Sequence, residues 1–293
     1  MTGIVDAHFH IWRQADLPWL LGPMQPRIFG PYEPIRRDYP VEEYLADCRP
    51  EGVTEAVYVQ ANWAPARALD EVRFVAESAR RAAFPIAIVA YGDMLAQDIR
   101  PQLDALAVEP SVRGVRMQLH WHENPLYRFA QAPDLARDPI LQRNVARLAD
   151  YGWSFDLQVF ASQMAGAADL AIACPGITFV LQHSGMLEDL TAEGIASWRA
   201  GMKRLAACPN VVSKFSGLGT FLRRNDPAHV AVVAGETLAL FGAERCLFGS
   251  NFPIEKLWTS YAALVEALRA SVPTNVHEQV FNKTARRVYR LSQ

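Results

Sequence analysis

Eight short apolar runs recur along the chain, each followed by a stretch with helical periodicity. They read GIVDAHFH (3–10), VTEAVYVQ (53–60), FPIAIVAYGD (84–93), VRGVRMQLH (112–120), WSFDLQVF (153–160), ITFVLQHSG (177–185), VVSKFSGLG (211–219) and RCLFGSNFP (245–253). Most are too continuously apolar for strands with one wet face, which fits parallel strands buried on both sides. Between them, ARALDEVRFVAESARRA (66–82) places Leu69, Val72, Val75 and Ala76 on one helical face. PILQRNVARLADYG (139–152) opens on Pro139 and ends on Gly152, as helix punctuation predicts. Eight strands alternating with helices predict an α/β fold, a single (β/α)8 TIM barrel spanning 1–293. With 51% hydrophobic residues among 293, the chain has the material for one such core.

The stretch from about 13 to 40 interrupts the alternation. Rich in Pro, Gly and aromatics, it follows the first strand and is predicted to cover the mouth of the barrel as an active-site loop. Trp12, Trp19, Leu20, Phe29 and Tyr32 either give the pocket an apolar wall or pack the loop down.

Charge and hydropathy narrow the partners. A net charge of −2 without blocks of like charge argues against nucleic acid or an acidic membrane surface. No apolar run approaches the roughly 20 residues of a membrane helix, and the first residues lack the order of a signal peptide. The expected setting is cytoplasmic and the expected partner a small molecule, with homo-oligomerisation left open. Cys48, Cys174, Cys208 and Cys246 are far apart and form no CxxC pair, so they read as reduced, packed thiols.

In a barrel of this kind the chemistry sits at the C-terminal ends of the strands. The first strand ends in Asp6, His8 and His10, which alternation places on one side, facing the interior. Two such imidazoles can point at one ion or one substrate. The sixth strand adds His183. The fourth brings Arg116 and Gln118, then His120, with His122 in the following loop. A buried Arg116 needs an anionic partner, either a substrate oxygen or Asp156. Gln60 and Asn62 follow strand two, Gln158 strand five, and Lys214 and Ser216 lie on strand seven. Asp156 and Lys214 either satisfy one another or serve the substrate. Asn251, after strand eight, can hold a water or a substrate oxygen but cannot take a proton. Glu255, four residues on, is either the missing base or a solvated first-turn acid.

These residues sit in motifs that resemble the amidohydrolase superfamily, in particular the amidohydrolase-2 branch of sugar-lactone and pyrone-dicarboxylate lactonases. The carriers are DAHFHIW, FDLQVF, VLQHSG, SKFSGLG and RCLFGSNFPIEKL, in order across nearly the whole chain, with NKTARRVYRL as closing helix. The resemblance implies that His8, His10 and His183 line the reaction centre and that Arg116 and its neighbours grip an anionic or hydroxylated ring. It implies hydrolysis of a lactone, with no obligatory cofactor or with one divalent ion, zinc foremost, held by His8, His10 and His183. The carbamylated lysine of two-metal relatives has no counterpart on strand four. Their strand-eight aspartate is Asn251 here, which leaves His183 or Glu255 as base.

The primary expectation is therefore a lactonase in which water attacks the ring carbonyl. The oxyanion would be met by His8 and His10 together with Arg116 or Lys214. The rivals are a zinc-dependent decarboxylase of the same branch, disfavoured by Asn251, and a barrel that binds a ligand without turning it over.

Overall fold

Parallel pairing links eight strands in chain order in the computed structural model, which describes residues 3–291. They are β1 (Ile4–Phe9), β2 (Val53–Val59), β3 (Ile86–Tyr91), β4 (Val112–Arg116), β5 (Ser154–Leu157), β6 (Phe179–Leu181), β7 (Val211–Phe215) and β8 (Cys246–Phe248). Asn251 N donates to His8 O at 2.7 Å and His10 N to Phe252 O at 2.8 Å, which returns the last strand to the first. The sheet is thus the predicted TIM barrel. Its helices are α1 (Pro18–Leu21), α2 (Val41–Cys48), α3 (Ala68–Ala82), α4 (Arg100–Ala107), α5 (Pro139–Ala146), α6 (Met164–Ala173), α7 (Ala192–Ala206), α8 (Pro227–Phe241), α9 (Tyr261–Ser271) and α10 (Thr284–Tyr289). None of them is long and apolar enough to cross a membrane.

Several strands stop earlier than their apolar runs. β6 ends at Leu181 because His183, Ser184 and Gly185 turn through left-handed backbone, with φ of 54°, 46° and 75°. The helix expected over 139–152 tightens after Ala146 into a 3-10 turn, Arg147–Tyr151, and stops on Gly152 at φ 64°. α3 buries Val72, Val75 and Ala76 as its periodicity predicted, and Glu71 beside them. All four cysteines are free and buried.

Two apolar layers flank the sheet. Val5, Ala7, Val57, Val59, Val89 and Val180 cluster with Tyr289 of α10 inside the barrel floor, while a larger cluster fills the space between strands and outer helices. One expectation fails here. Asp6 does not share a side with His8 and His10. The β1–β2 register slips between Asp6 and Phe9, and this irregularity defeats a strict period of two. Asp6 instead faces the outer helices and accepts from Tyr44 of α2 and Tyr261 of α9, both at 2.9 Å. It also accepts from Ser250 N at 2.8 Å, Ser250 Oγ at 2.6 Å and His8 N at 3.1 Å. One carboxylate therefore ties β1 to the turn after β8. Ser250→Ala, which removes one donor to this carboxylate, is expected to cost about 1–2 kcal/mol in urea unfolding.

The segment between β1 and α2 is a built cap. Leu20 and Tyr32 are fully buried and pack it down. Trp12 Nε1 donates to Arg37 O at 2.8 Å and Arg36 Nη2 to Gly22 O at 2.8 Å. Trp19 Nε1 reaches across to Ala61 O after β2, at 2.9 Å.

Candidate active site

The strand ends and the cap surround an open pocket at the C-terminal mouth of the barrel. Of the residues singled out from the sequence, His10, Asn62, Arg116, Gln118, Gln158, His183 and Asn251 line it. Trp12, Trp19 and Phe29 from the cap form an apolar wall, so both readings of those aromatics hold for different residues. Asn62, His183 and Asn251 sit at φ of 63°, 54° and 56°, a left-handed conformation that non-glycine residues rarely adopt. Such strain gathers where surrounding structure forces a side chain to face a site.

Arg116 ends β4 at full burial. One guanidinium nitrogen donates to Gln60 O and another to Gln158 Oε1 at 3.4 Å, but Nε has no partner. Burial pulls its pKa down to about 10, so it remains a cation at neutral pH. Gln118 Oε1 is likewise buried and unpartnered. These are buried groups whose bonds a ligand would complete.

The imidazoles around Arg116 are neutral. His10 Nδ1 lies 2.6 Å from Val59 O; a carbonyl only accepts, so that nitrogen carries the proton. Burial and the Arg116 charge push His10 down to about 3. His183, its Nδ1 2.9 Å from Ser216 Oγ, is held well below the ordinary range by burial and then by Arg116 and Lys214. His8 lies beneath the cavity, its ring centroid 5.1 Å from that of His10 and 4.9 Å from that of His183. Burial first, and Lys214 next, keep it neutral too, and neither of its nitrogens has a partner.

Other candidates stand back from the cavity wall. Lys214 pairs with Asp156 inside the barrel at 2.9 Å, with both side chains fully buried, which resolves that alternative in favour of mutual satisfaction. Gln60 offers its carbonyl to Arg116 and its Oε1 to Asn62 N at 2.7 Å. Ser216 orients His183. His120 is buried against Phe129, ring centroids 5.4 Å apart, and is lowered by burial to about 3. His122 lies 3.7 Å from Glu188 on the rim.

Glu255 is not a solvated first-turn acid. It is 2% exposed, and burial raises its pKa to about 7. Trp258 Nε1 donates to its Oε2 at 2.8 Å, and Thr220 Oγ1 to its Oε1 at 3.4 Å. Thr220 lines the cavity and connects it to that carboxylate. Sequence reasoning missed it, along with Arg27, Met186, Phe221 and Ile254 of the same wall. Thr220 lies five residues beyond the end of β7, within reach of the strand-end rule.

The sequence profile of the amidohydrolase family matches residues 5–291. The chain belongs to this family. It is 32% identical to protein y4mH of Sinorhizobium fredii, covering 98% of both chains. It is 30% identical to an L-fucono-1,5-lactonase of Burkholderia multivorans, covering 99% of this chain and 96% of the relative. A crystal structure of an amidohydrolase from Burkholderia multivorans with bound zinc superposes with a TM-score of 0.79 at 28% identity, covering 99% of both chains.

Nδ1 of His10 and of His183 is engaged, which leaves Nε2 of each ring and both nitrogens of His8 for another partner, while Asn251 offers an amide and no carboxylate. Among the described residues no three His, Cys, Asp or Glu side chains are arranged to hold a metal. The expected set of His8, His10 and His183 is not gathered into such a site in this structure.

Proposed function

We propose that this amidohydrolase opens a small-molecule lactone by attack of water on the ring carbonyl. The observation that carries the reading is Arg116, a buried cation with an unpaired Nε at a cavity whose imidazoles are all neutral. A donor held in that state favours a substrate that gains negative charge on oxygen in its transition state, as a lactone carbonyl does. The similarity to L-fucono-1,5-lactonases supports the same class.

In this reading Arg116 stabilises the oxyanion, and Asn251 and Gln158 hold the ring and the attacking water. The water proton passes to Thr220 Oγ as the threonine proton moves to Glu255 Oε1. Collapse of the tetrahedral intermediate breaks the ring C–O bond. The proton stored on Glu255 returns by the same hydroxyl to the departing alkoxide, leaving a hydroxy acid. A carboxyl raised to about 7 is matched to base work at neutral pH.

Acid release on a panel of γ- and δ-lactones, followed with a pH indicator, tests the activity; silence across the panel would remove the lactonase reading. Turnover is expected to survive a chelator, because the proposed steps use side chains alone.

The base assignment makes a separate prediction. Glu255 must be ionised to act, so kcat/KM should fall about tenfold per pH unit below about pH 7. Glu255→Gln should remove that limb, and Thr220→Val should lower kcat with folding intact. A profile without that limb would instead assign the base to His183, whose ionisation burial holds well below the ordinary histidine range. The stability linkage has the opposite sense to the activity. The folded state holds the Glu255 proton more tightly, so its contribution is complete below about pH 4.5 and is lost as pH rises through about 7.

A further inference from the structure

A second groove adjoins the pocket at the mouth, and Trp19, Arg27, Asn62 and Gln118 line both. It runs between the cap and the ends of β2, β3 and β4, where Trp63, Tyr91 and Phe129 add three aromatic side chains. None of these three lines the first pocket.

Phe129 is 46% exposed, yet it is held. Its own N and that of Ala130 donate to His120 O at 3.1 and 3.0 Å, and the His120 ring stacks on it. That stacking gives buried His120 a place in the argument, as the backing of an aromatic surface that nothing in the chain covers. Trp63 is wedged between Phe74, ring centroids 5.9 Å apart, and Arg67, whose Cζ is 4.8 Å from its ring centre. Its indole N–H has no partner, and neither has Gln118 Oε1. One is a donor and the other an acceptor. A hydroxyl can serve either, whereas a hydrocarbon serves neither. Apart from Arg27 at the junction, no lining residue of the groove is charged. Aromatic faces with amide groups between them suit a neutral sugar ring, which lays C–H bonds on the rings and offers its hydroxyls around the edge.

We propose that this groove is a second subsite for a sugar ring joined to the lactone, so that the substrate class is a glycosylated sugar lactone. The inference deepens the lactonase reading and rests on it. Phe129 and Trp63 are then specificity residues that touch the substrate away from the reacting bond.

Cellobionolactone and melibionolactone, which carry the second ring on different hydroxyls, would be compared with gluconolactone in steady state. Cellobionate, melibionate and gluconate, which cannot turn over, would be titrated by calorimetry. At least one two-ring compound is expected to show a KM and a Kd about 10- to 100-fold lower than its single-ring counterpart. Phe129→Ala, at an exposed position, should bring that ratio close to one, and Phe129→Trp should keep it. Trp63→Phe, which keeps a ring and removes the N–H, should reduce it about fivefold. No gain from the second ring, binding of none of the three acids, or a gain that survives both Phe129→Ala and Trp63→Phe would overturn the proposal. A gain from a benzyl ether of gluconolactone, with none from the sugars, would overturn it in favour of an aryl group. Lactone turnover without preference for the second ring would overturn it while leaving the lactonase standing. A Phe129-dependent preference in binding without turnover would keep the sugar subsite and remove the lactonase.

Discussion

Arg116→Gln is expected to lower kcat/KM for a lactone about 100- to 1,000-fold, the usual scale for losing one preorganised oxyanion donor. The loss should fall on kcat more than on KM, because the charge it stabilises exists only in the transition state. Arg116→Lys should recover little. An ammonium on a flexible stem cannot keep the Gln60 carbonyl, the Gln158 amide and the substrate oxygen together as a planar guanidinium does. Folding is not the cause of the loss, since Arg116 is a buried cation with an incomplete set of partners. Its removal should leave the denaturant midpoint level or raise it. A variant that loses stability and activity in parallel would mean that Arg116 serves the barrel and not the reaction.

Lys214→Met should show the reverse pattern, with its main effect on stability. The Lys214–Asp156 pair is wholly inside the barrel, and Asp156 also accepts from Gln182 Nε2 at 2.8 Å and Tyr289 OH at 3.1 Å. Removing one partner leaves a buried charge uncompensated, which costs about 3–5 kcal/mol. Asp156→Asn added to Lys214→Met removes the stranded charge and should recover most of that loss. The double-mutant cycle in urea measures the coupling. If the single variant unfolds like the parent protein, the pair is not holding the floor. Lys214 also helps keep His8 neutral, so the substitution should raise the His8 ionisation, readable by NMR titration of the imidazole.

The barrel was legible in the sequence because its strands are buried on both faces. A run such as VTEAVYVQ declares itself by continuous apolar and β-branched residues, and position along such a run turns a polar side chain into a candidate. Arg116, His10, His183 and Asn251 were found this way, and all four line the cavity. The same rule failed at Asp6, since a register slip of one residue reverses every side chain beyond it and leaves no trace in composition. It was silent on Arg27, which reaches the cavity from a cap whose path depends on long-range bonds such as Trp19 to Ala61. Glu255 was found by position but not by environment. Nothing local says that Trp258 and Thr220 will enclose it and raise its pKa. His120 and His122 carried the right chemistry on a loop that turns them toward Phe129 and Glu188 instead.

The Asp6 junction also sets an order of events during synthesis. Its donors Ser250 and Tyr261 lie 244 and 255 residues downstream, and the backbone hydrogen bonds at the end of β1 reach Asn251 and Phe252 in the turn after β8. A chain whose first seven strands have left the ribosome holds a sheet with two open edges and, near one of them, a carboxylate that still lacks Ser250 and Tyr261. Contacts of such sequence separation form late, so the mouth that carries His10 and Asn251 comes together only after nearly the whole chain has been made.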